Sequence, residues 1–432
     1  MMSKKIHIYP RDSVSANDDD DVVDDYSWWW QVDQRNHVVE ELEVSSVYIS
    51  NSMAFTLATI FQRKVVKSLI LRMCEVWPDV LYDVLLQACR HNVEHLTLHR
   101  VRQIDDPCMR LITQPGTKLR SLSVHYRPSL EGDGIRVLLR RLHDLQCLET
   151  LRLDGSPLTG DNDVTALIHS LQIPGALSNL KVLSLKSCFL SDKAVARILS
   201  ALEDPERLPS LMAIDLSLNG CNKHGMQALG RLLESPSCHL ERLDLMCQIP
   251  RIQHRQYMQP LSHALTKNQS LKILRLSGNS LRDTSLLKSL AVNKGLEVLD
   301  WYGNHLDDRG LLTLSHALSQ NRTLRSLNLK SNTFTSLHGL DLSTNDTLCH
   351  VGHTCRGPEA RQIAFQCNLN AAGRRLVRQE DSINLGLWPM VMARCSDNAD
   401  ALFYFVRNTP SLWTKRENAV TSEFHERQHN TT

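Results

Sequence analysis

The sequence predicts an α/β solenoid, with a parallel sheet of short strands on a concave face and helices on a convex face. Three observations predict it. A frame of apolar-x-x-Leu-x-Leu-x-x-Asn/Cys-x-Leu, clearest at Leu271–Leu281, returns about every 28 residues. Its Leu-x-Leu centre alternates with period two, so each copy carries a short strand with one buried face. Behind the strand the period becomes helical, as in the stripe Leu311, Leu314 and Leu318.

The first 25 residues are polar, with Asp18–Asp21, Asp24 and Asp25. Residues 1–25 read as a solvated, disordered leader. Trp28, Trp29 and Trp30 follow, just before the first repeat. An open solenoid end needs an apolar cover, so they read as a cap; an exposed docking site is the alternative. The repeat domain with this cap is expected over residues 26–350.

Taking the first apolar position of each copy as its anchor, clear copies start at Leu148, Leu180, Leu211, Leu240, Leu271, Leu296 and Leu324. Weaker ones start at Val39, Val66, Val93 and Leu119, and a degenerate one at Leu348. Eight residues after the anchor stand Asn219, Asn279, Asn304 and Asn332, or Cys74 and Cys188. Here the chain turns inward, and a buried Asn can satisfy backbone groups of the neighbouring coil. Losing one should cost about 1–3 kcal/mol. The helical stripes recur at Leu261, Ala264 and Leu265, and at Met226, Leu229 and Leu233.

These segments, above all Leu271–Leu281, Leu296–Leu306 and Leu324–Phe334, resemble the ribonuclease-inhibitor type of leucine-rich repeat protein (RNI-like) over roughly residues 38–350. The resemblance implies a horseshoe and a protein-binding surface, but names no partner. From about Gly352 the repeat fades. Asn370–Arg375, Gly386–Pro389 and Ala401–Trp413 are similar to the closing segment of uncharacterised algal leucine-rich repeat proteins. Residues 351–413 read as an apolar cap with Phe403, Phe405, Val406, Leu412 and Trp413, and residues 414–432 as a disordered tail. The cluster Arg374, Arg375 and Arg378 reads as a solvated helix face.

Acids and bases nearly balance, at a net charge of +2, and no long basic stripe is present, so nucleic acid is not an expected partner. No apolar run near 18 residues and no signal-peptide pattern appear, so neither a membrane nor secretion is indicated. Twelve cysteines are spread without a C-x-x-C pair, which fits free thiols in a reducing, cytoplasmic setting. Cys349, His350, His353 and Cys355 offer four metal-ligand types in seven residues, but a strand would point Cys349 and His350 to opposite faces. They read as a transition into the cap. Gly132-Asp-Gly134 reads as a helix-start turn, not a dinucleotide fingerprint. No catalytic constellation, cofactor site or metal site is expected.

Residues two, four and six after each anchor should point into the concave surface. The candidate protein-binding residues are Arg152, Asp154, Lys186, Asp215, Arg242, Asp244, Met246, Arg275, Asp300, Tyr302, Asn328 and Lys330. Asp215 and Asp244 should be lateral neighbours about 5 Å apart, with Arg242 and Arg275 as balancing cations. Trp301 should point inward, while Tyr302 and Met246 supply apolar anchors. The patch of Asp215, Asp244, Arg275, Asp300 and Tyr302 carries the functional expectation: a non-enzymatic protein-interaction scaffold. One alternative is an activator of a small GTPase, an activity the resemblance associates with one branch of the repeat type. That branch carries an acidic C-terminal tail, which this chain lacks. Others are a substrate adaptor, which needs a recruitment module that residues 1–37 are too short and acidic to supply, or the sensor fragment of a larger receptor.

Overall fold

The computed structural model describes residues 5–8, 38–101, 104–125, 134–204, 206–248, 255–282, 284–375, 388–395 and 398–408. The acidic run, the three tryptophans, Gly132, Arg378, Leu412, Trp413 and the tail lie outside these residues. The chain divides into two units, Met1–Ser280 and Leu281–Thr432.

In the first unit the main strands are β1 (Lys5–Ile8), β2 (Val38–Ser45), β4 (Val65–Arg72), β6 (His95–His99), β7 (Ser121–His125), β8 (Thr150–Arg152), β9 (Val182–Ser184), β10 (Ala213–Asp215), β11 (Arg242–Asp244) and β12 (Ile273–Arg275). They pair in that order, all parallel. A small side sheet pairs β3 (Tyr48–Ile49) with β5 (Glu75–Val76). The helices are α1 (Asn51–Arg63), α2 (Pro78–Arg90), α3 (Asp106–Ile112), α4 (Gly134–Arg141), α5 (Asp161–Gln172), α6 (Asp192–Ala201), α7 (Lys223–Glu234) and α8 (Arg255–Lys267).

Every anchor from Val39 to Leu271 is buried, as are the leucines, valines and isoleucines three and five residues on. Each such side chain contributes about 1.5–3 kcal/mol by burial. Side chains close several helix starts: Ser50 accepts from the Met53 amide, Asp105 from Cys108 and Ser191 from Ala194. Gly230 on α7 lets α8 approach closely, since a Cβ there would meet Pro260 at 3.0 Å.

The first four residues of the expected leader that are described form a strand. The disordered assignment of residues 1–25 is therefore corrected at Lys5–Ile8. Ile6 and Ile8 are buried, while Lys5 and His7 face Glu41 and Glu43 across the ladder. A four-residue alternation is too short to stand out in a polar background.

The turn after each strand has a shared geometry. Seven residues after the anchor the backbone is left-handed in eight coils of this unit: Ser46, Met73, Arg100, Gly155, Ser187, Leu218, Cys247 and Gly278, with φ of 51–75°. A non-glycine residue gives up about 1–2 kcal/mol to sit there. The next residue offsets it. Asn219 Oδ1 accepts from the amides of Cys188 and Leu190 at 3.1 and 3.0 Å, and its Nδ2 donates to the Leu185 carbonyl at 2.7 Å. Asn279 accepts from Gln248 N at 2.8 Å and donates to Leu245 O at 2.7 Å. Where Cys replaces Asn, the thiol donates to the preceding coil, Cys74 to Val44 O at 3.2 Å and Cys188 to Leu153 O at 3.1 Å, and more weakly to its own coil, at Arg72 O and Lys186 O. Gln248 is an unexpected member of the row, with its Oε1 accepting from Cys221 N at 2.9 Å and its Nε2 donating to Leu216 O at 3.0 Å.

In the second unit, β13 (Val298–Asp300), β14 (Ser326–Asn328) and β15 (His350–Gly352) form a parallel ladder. Helices α9 (Ser285–Ser289) and α10 (Asp308–Gln320) lie between the strands in sequence, and α11 (Pro358–Ala372), α12 (Trp388–Arg394) and α13 (Ala399–Arg407) follow them. Asn304 and Asn332 repeat the inward turn, accepting from the amides of Leu281 and Leu306 at 3.1 Å each.

A second asparagine row lies three residues before the anchors. Asn321 accepts from Leu324 N and donates to Leu290 O, at 2.8 and 2.7 Å. Asn345 likewise accepts from Leu348 N and donates to Leu318 O, both at 2.8 Å. Asn268 does the same in the first unit, to Leu271 N and Leu233 O.

The closing helices pack Leu369, Ala372, Val391, Cys395, Ala401 and Phe405 into a small core. Two expectations are corrected here. Phe403 is 65 % exposed and lies outside that core. Arg374 is 4 % exposed, donates to the carbonyls of Leu342, Ser343 and Asn345, and stacks over Tyr404. Its guanidinium closes strand-leading turns that would otherwise bury bare carbonyls, a role that charge in a sequence does not reveal. No helix among the described residues is long and apolar enough to cross a membrane.

Candidate protein-binding surface

The register places the candidate residues by simple alternation. In the three-residue strands from β8 to β14 the middle side chain is buried and its two neighbours face the other way. The expected patch divides between the units, with Asp215, Asp244 and Arg275 in the first and Asp300 and Tyr302 in the second.

In the first unit Asp215 and Asp244 are ladder partners, as expected. Asp244 has both expected cations. Arg242 grips its Oδ2 through Nη2 at 2.7 Å and Nε at 2.9 Å, and Arg275 Nη1 lies 3.7 Å away. As a result Asp244 is only 2 % exposed. It anchors two arginines and is not itself available to a partner, which corrects its reading as a contact residue. Its Oδ1 is buried with no hydrogen-bond partner among the described residues.

Asp215 accepts from the Ser217 amide at 2.8 Å. Burial pushes its carboxyl above the usual range, the Ser217 bonds oppose this, and the charges of Asp244 and Asp154 add to it. Asp154 accepts from Ser184 Oγ at 2.5 Å and from Lys186 N at 3.3 Å. Arg152 is exposed, and Lys186 and Met246 are half-buried.

In the second unit Asp300 Oδ1 accepts from Tyr302 N at 3.1 Å and Asn328 Nδ2 at 2.9 Å, while Asn328 Oδ1 accepts from Lys330 N at 3.3 Å. Tyr302 is 44 % exposed, Lys330 is exposed, and Trp301 is buried, as its register requires.

The earlier coils carry further side chains on this face that the sequence reading passed over. Six residues after Val66, Val93 and Leu119 stand Arg72, His99 and His125. Applying the same offset to the weak copies would have found them. His99 and His125 are ladder partners with ring centroids 4.9 Å apart, edge to face. Burial holds both imidazoles below their usual value. His125, Arg72 and Arg100 add to this at His99. At His125, Arg152, Arg72 and Lys186 add to it while Asp154 opposes.

His7, Glu41 and Glu43 bring three ligand-type atoms within 4.8 Å of one another. Lys5 and Arg72 already hold those carboxylates at 2.8 and 3.0 Å, so the cluster is a neutralised ion-pair network. Cys349, His350, His353 and Cys355 form no such cluster among the described residues.

No family model matches the chain. It is 32 % identical to mouse NACHT, LRR and PYD domains-containing protein 14 over 285 residues, covering 64 % of this chain and 24 % of that protein. It is 31 % identical over 136 residues to pig ribonuclease inhibitor, covering 31 % of this chain and 26 % of the inhibitor. With the mouse inhibitor it shares 29 % identity over 237 residues, covering 47 % and 50 %. The chain thus spans about a quarter of the length of the NACHT relatives. Among solved structures, the yeast Rad7 and Elc1 complex aligns with a TM-score of 0.48 at 16 % identity, covering 73 % of this chain and 74 % of that one. None of the relatives named here is an algal protein. The repeat frame, the parallel strands it builds and these relatives together show that the chain carries leucine-rich repeats of the ribonuclease-inhibitor type.

Proposed function

We propose that the chain is a non-enzymatic scaffold that binds a protein through the face of its parallel strands. The observation that supports this most is the state of that face. Charged and polar side chains stand in register along it, on a backbone whose own bonds are already satisfied. Such a surface needs little ordering on binding. The relatives named as ribonuclease inhibitors support a protein partner. Arg152, Lys186, Met246 and Arg275 in the first unit, and Asp300, Tyr302, Asn328 and Lys330 in the second, are the contact residues of this reading. Arg242, Asp244, Asp215 and Asp154 set the charge around them. A reducing cytoplasmic location belongs to the same proposal, supported by twelve free thiols, six of them buried.

The test is affinity capture followed by mass spectrometry, with charge reversals Arg152→Glu and Lys186→Glu in one variant and Asp300→Lys and Lys330→Glu in another. The reading expects at least one variant to lose proteins that the native chain retains. Identical captured sets for all three would end it.

A further inference from the structure

We propose that the sheet face from β6 to β8 receives an acidic protein segment and takes up protons as it does so. The proposal rests on the scaffold reading and adds a partner chemistry and a place. From Ser68 on β4 through β6, β7 and β8 the outward strand positions hold hydroxyls, Ile70, histidines, Arg72 and Arg152, and the first carboxylate, Asp154, follows β8 by two residues. The nearest acids on either side are occupied. Glu43 accepts from Arg72 Nε at 3.0 Å, and Asp154 accepts from Ser184 and Lys186. Arg152 and Lys186 form no ion pair among the described residues. Arg72 is matched by Glu43, but Arg152 and the neighbouring Lys186 have no such counter-charge, unlike Arg242 and Arg275.

The two histidines couple that deficit to pH. Their rings touch edge to face, and His99 Nδ1 is buried without a hydrogen-bond partner among the described residues. Two imidazolium charges this close repel, and the surrounding Arg72, Arg100, Arg152 and Lys186 outnumber Asp154, so in the free chain the pair stays neutral at pH 7. A carboxylate laid across the stretch would reverse the balance. It would pair with Arg152 and Lys186, accept hydrogen bonds from ring N–H groups and favour the charged rings. By linkage, a partner that raises a proton affinity binds more tightly where that proton is available. Affinity for an acidic segment must therefore rise as pH falls through the histidine range.

The experiment is a fluorescence-anisotropy titration of the full chain with labelled octaglutamate at about pH 8 and about pH 6, at fixed ionic strength, with octaglutamine as the neutral control. The native chain should bind octaglutamate at least about tenfold more tightly at the lower pH, as uptake of one proton allows. His99→Gln/His125→Gln should remove that dependence, and Arg152→Glu should weaken binding at both pH values. Equal affinity at the two pH values, an unchanged pH response in the double variant, or no binding at either pH overturns the proposal. Should the histidine variants misfold, the imidazole resonances of the native chain decide. Their titration midpoints must move up when octaglutamate is added, and unmoved midpoints overturn the proposal. Failure here leaves the scaffold reading intact, since that reading fails only if capture is indifferent to every reversal.

Discussion

Two stretches of one sheet face, both in the first unit, treat charge in opposite ways. From β10 to β12 the sheet supplies its own counter-charges: Asp244 lies beneath Arg242 and near Arg275, and Asp215 is tied to Ser217. From β6 to β8 it does not. Arg152 stands exposed near His125, one of a touching histidine pair, and the flanking acids are engaged elsewhere. The lesson is that facing the binding side does not by itself make a residue available. A charge already matched within the sheet stabilises the coil stack; an unmatched one is left for a partner.

Mutations can break or sharpen this contrast. The largest loss should come from the support beneath both stretches. Asn279→Ala leaves buried groups of two coils unpaired and should cost at least about 1–3 kcal/mol, read as a lower denaturation midpoint. Next is Arg242→Ala, which strips Asp244 of both its close bonds and leaves only the longer contact to Arg275. A loss of about 1–3 kcal/mol is expected, whereas Arg152→Ala should leave the midpoint unchanged. Equal effects of the two arginines would erase the contrast.

Smaller effects follow from pH. Asp215 has its folded pKa raised, so its ionisation destabilises the fold as pH rises above the ordinary aspartate value and through the folded one. Asp215→Asn should therefore raise the midpoint at neutral pH and leave it unchanged in acid. The smallest change is expected at the histidines. Their folded pKa values are lowered, so the stability they support is present above about pH 6.5 and declines as pH falls below it. His99→Gln/His125→Gln should flatten that acid-side decline, measured by circular dichroism across pH 5–7 (approximate bounds).

The fold was largely legible because its determinants are periodic. The anchors, the buried partners three and five residues on, and the asparagines at Asn219, Asn279, Asn304 and Asn332 all followed from spacing. Features outside the frame were not. The second asparagine row, Asn268, Asn321 and Asn345, sits in linkers where a polar residue is unremarked. Among the described coils with a left-handed residue seven after the anchor, that residue is glycine at Gly155, Gly278 and Gly303; Met73, Leu218 and others hide it elsewhere. Gln248 takes an asparagine role with a longer reach, and Arg374 is buried by carbonyls that arrive from another part of the chain. On the sheet face, alternation gave the buried middle residue of each strand from β8 to β14. It could not give accessibility, because the cover on Asp244 comes from Arg242 folding back along the same strand and from Arg275 reaching across the ladder. The histidine pair depended on register between two weak copies of the repeat.

The most direct test of the central claim sets sheet face against helix face in a single capture experiment. Arg152→Glu/Lys186→Glu alters the former; Lys193→Glu/Lys223→Glu alters exposed positions on α6 and α7. Proteins retained by the native chain should be lost with the first variant and kept with the second. Loss only with the helix-face variant, or no loss with the sheet-face one, would contradict the account.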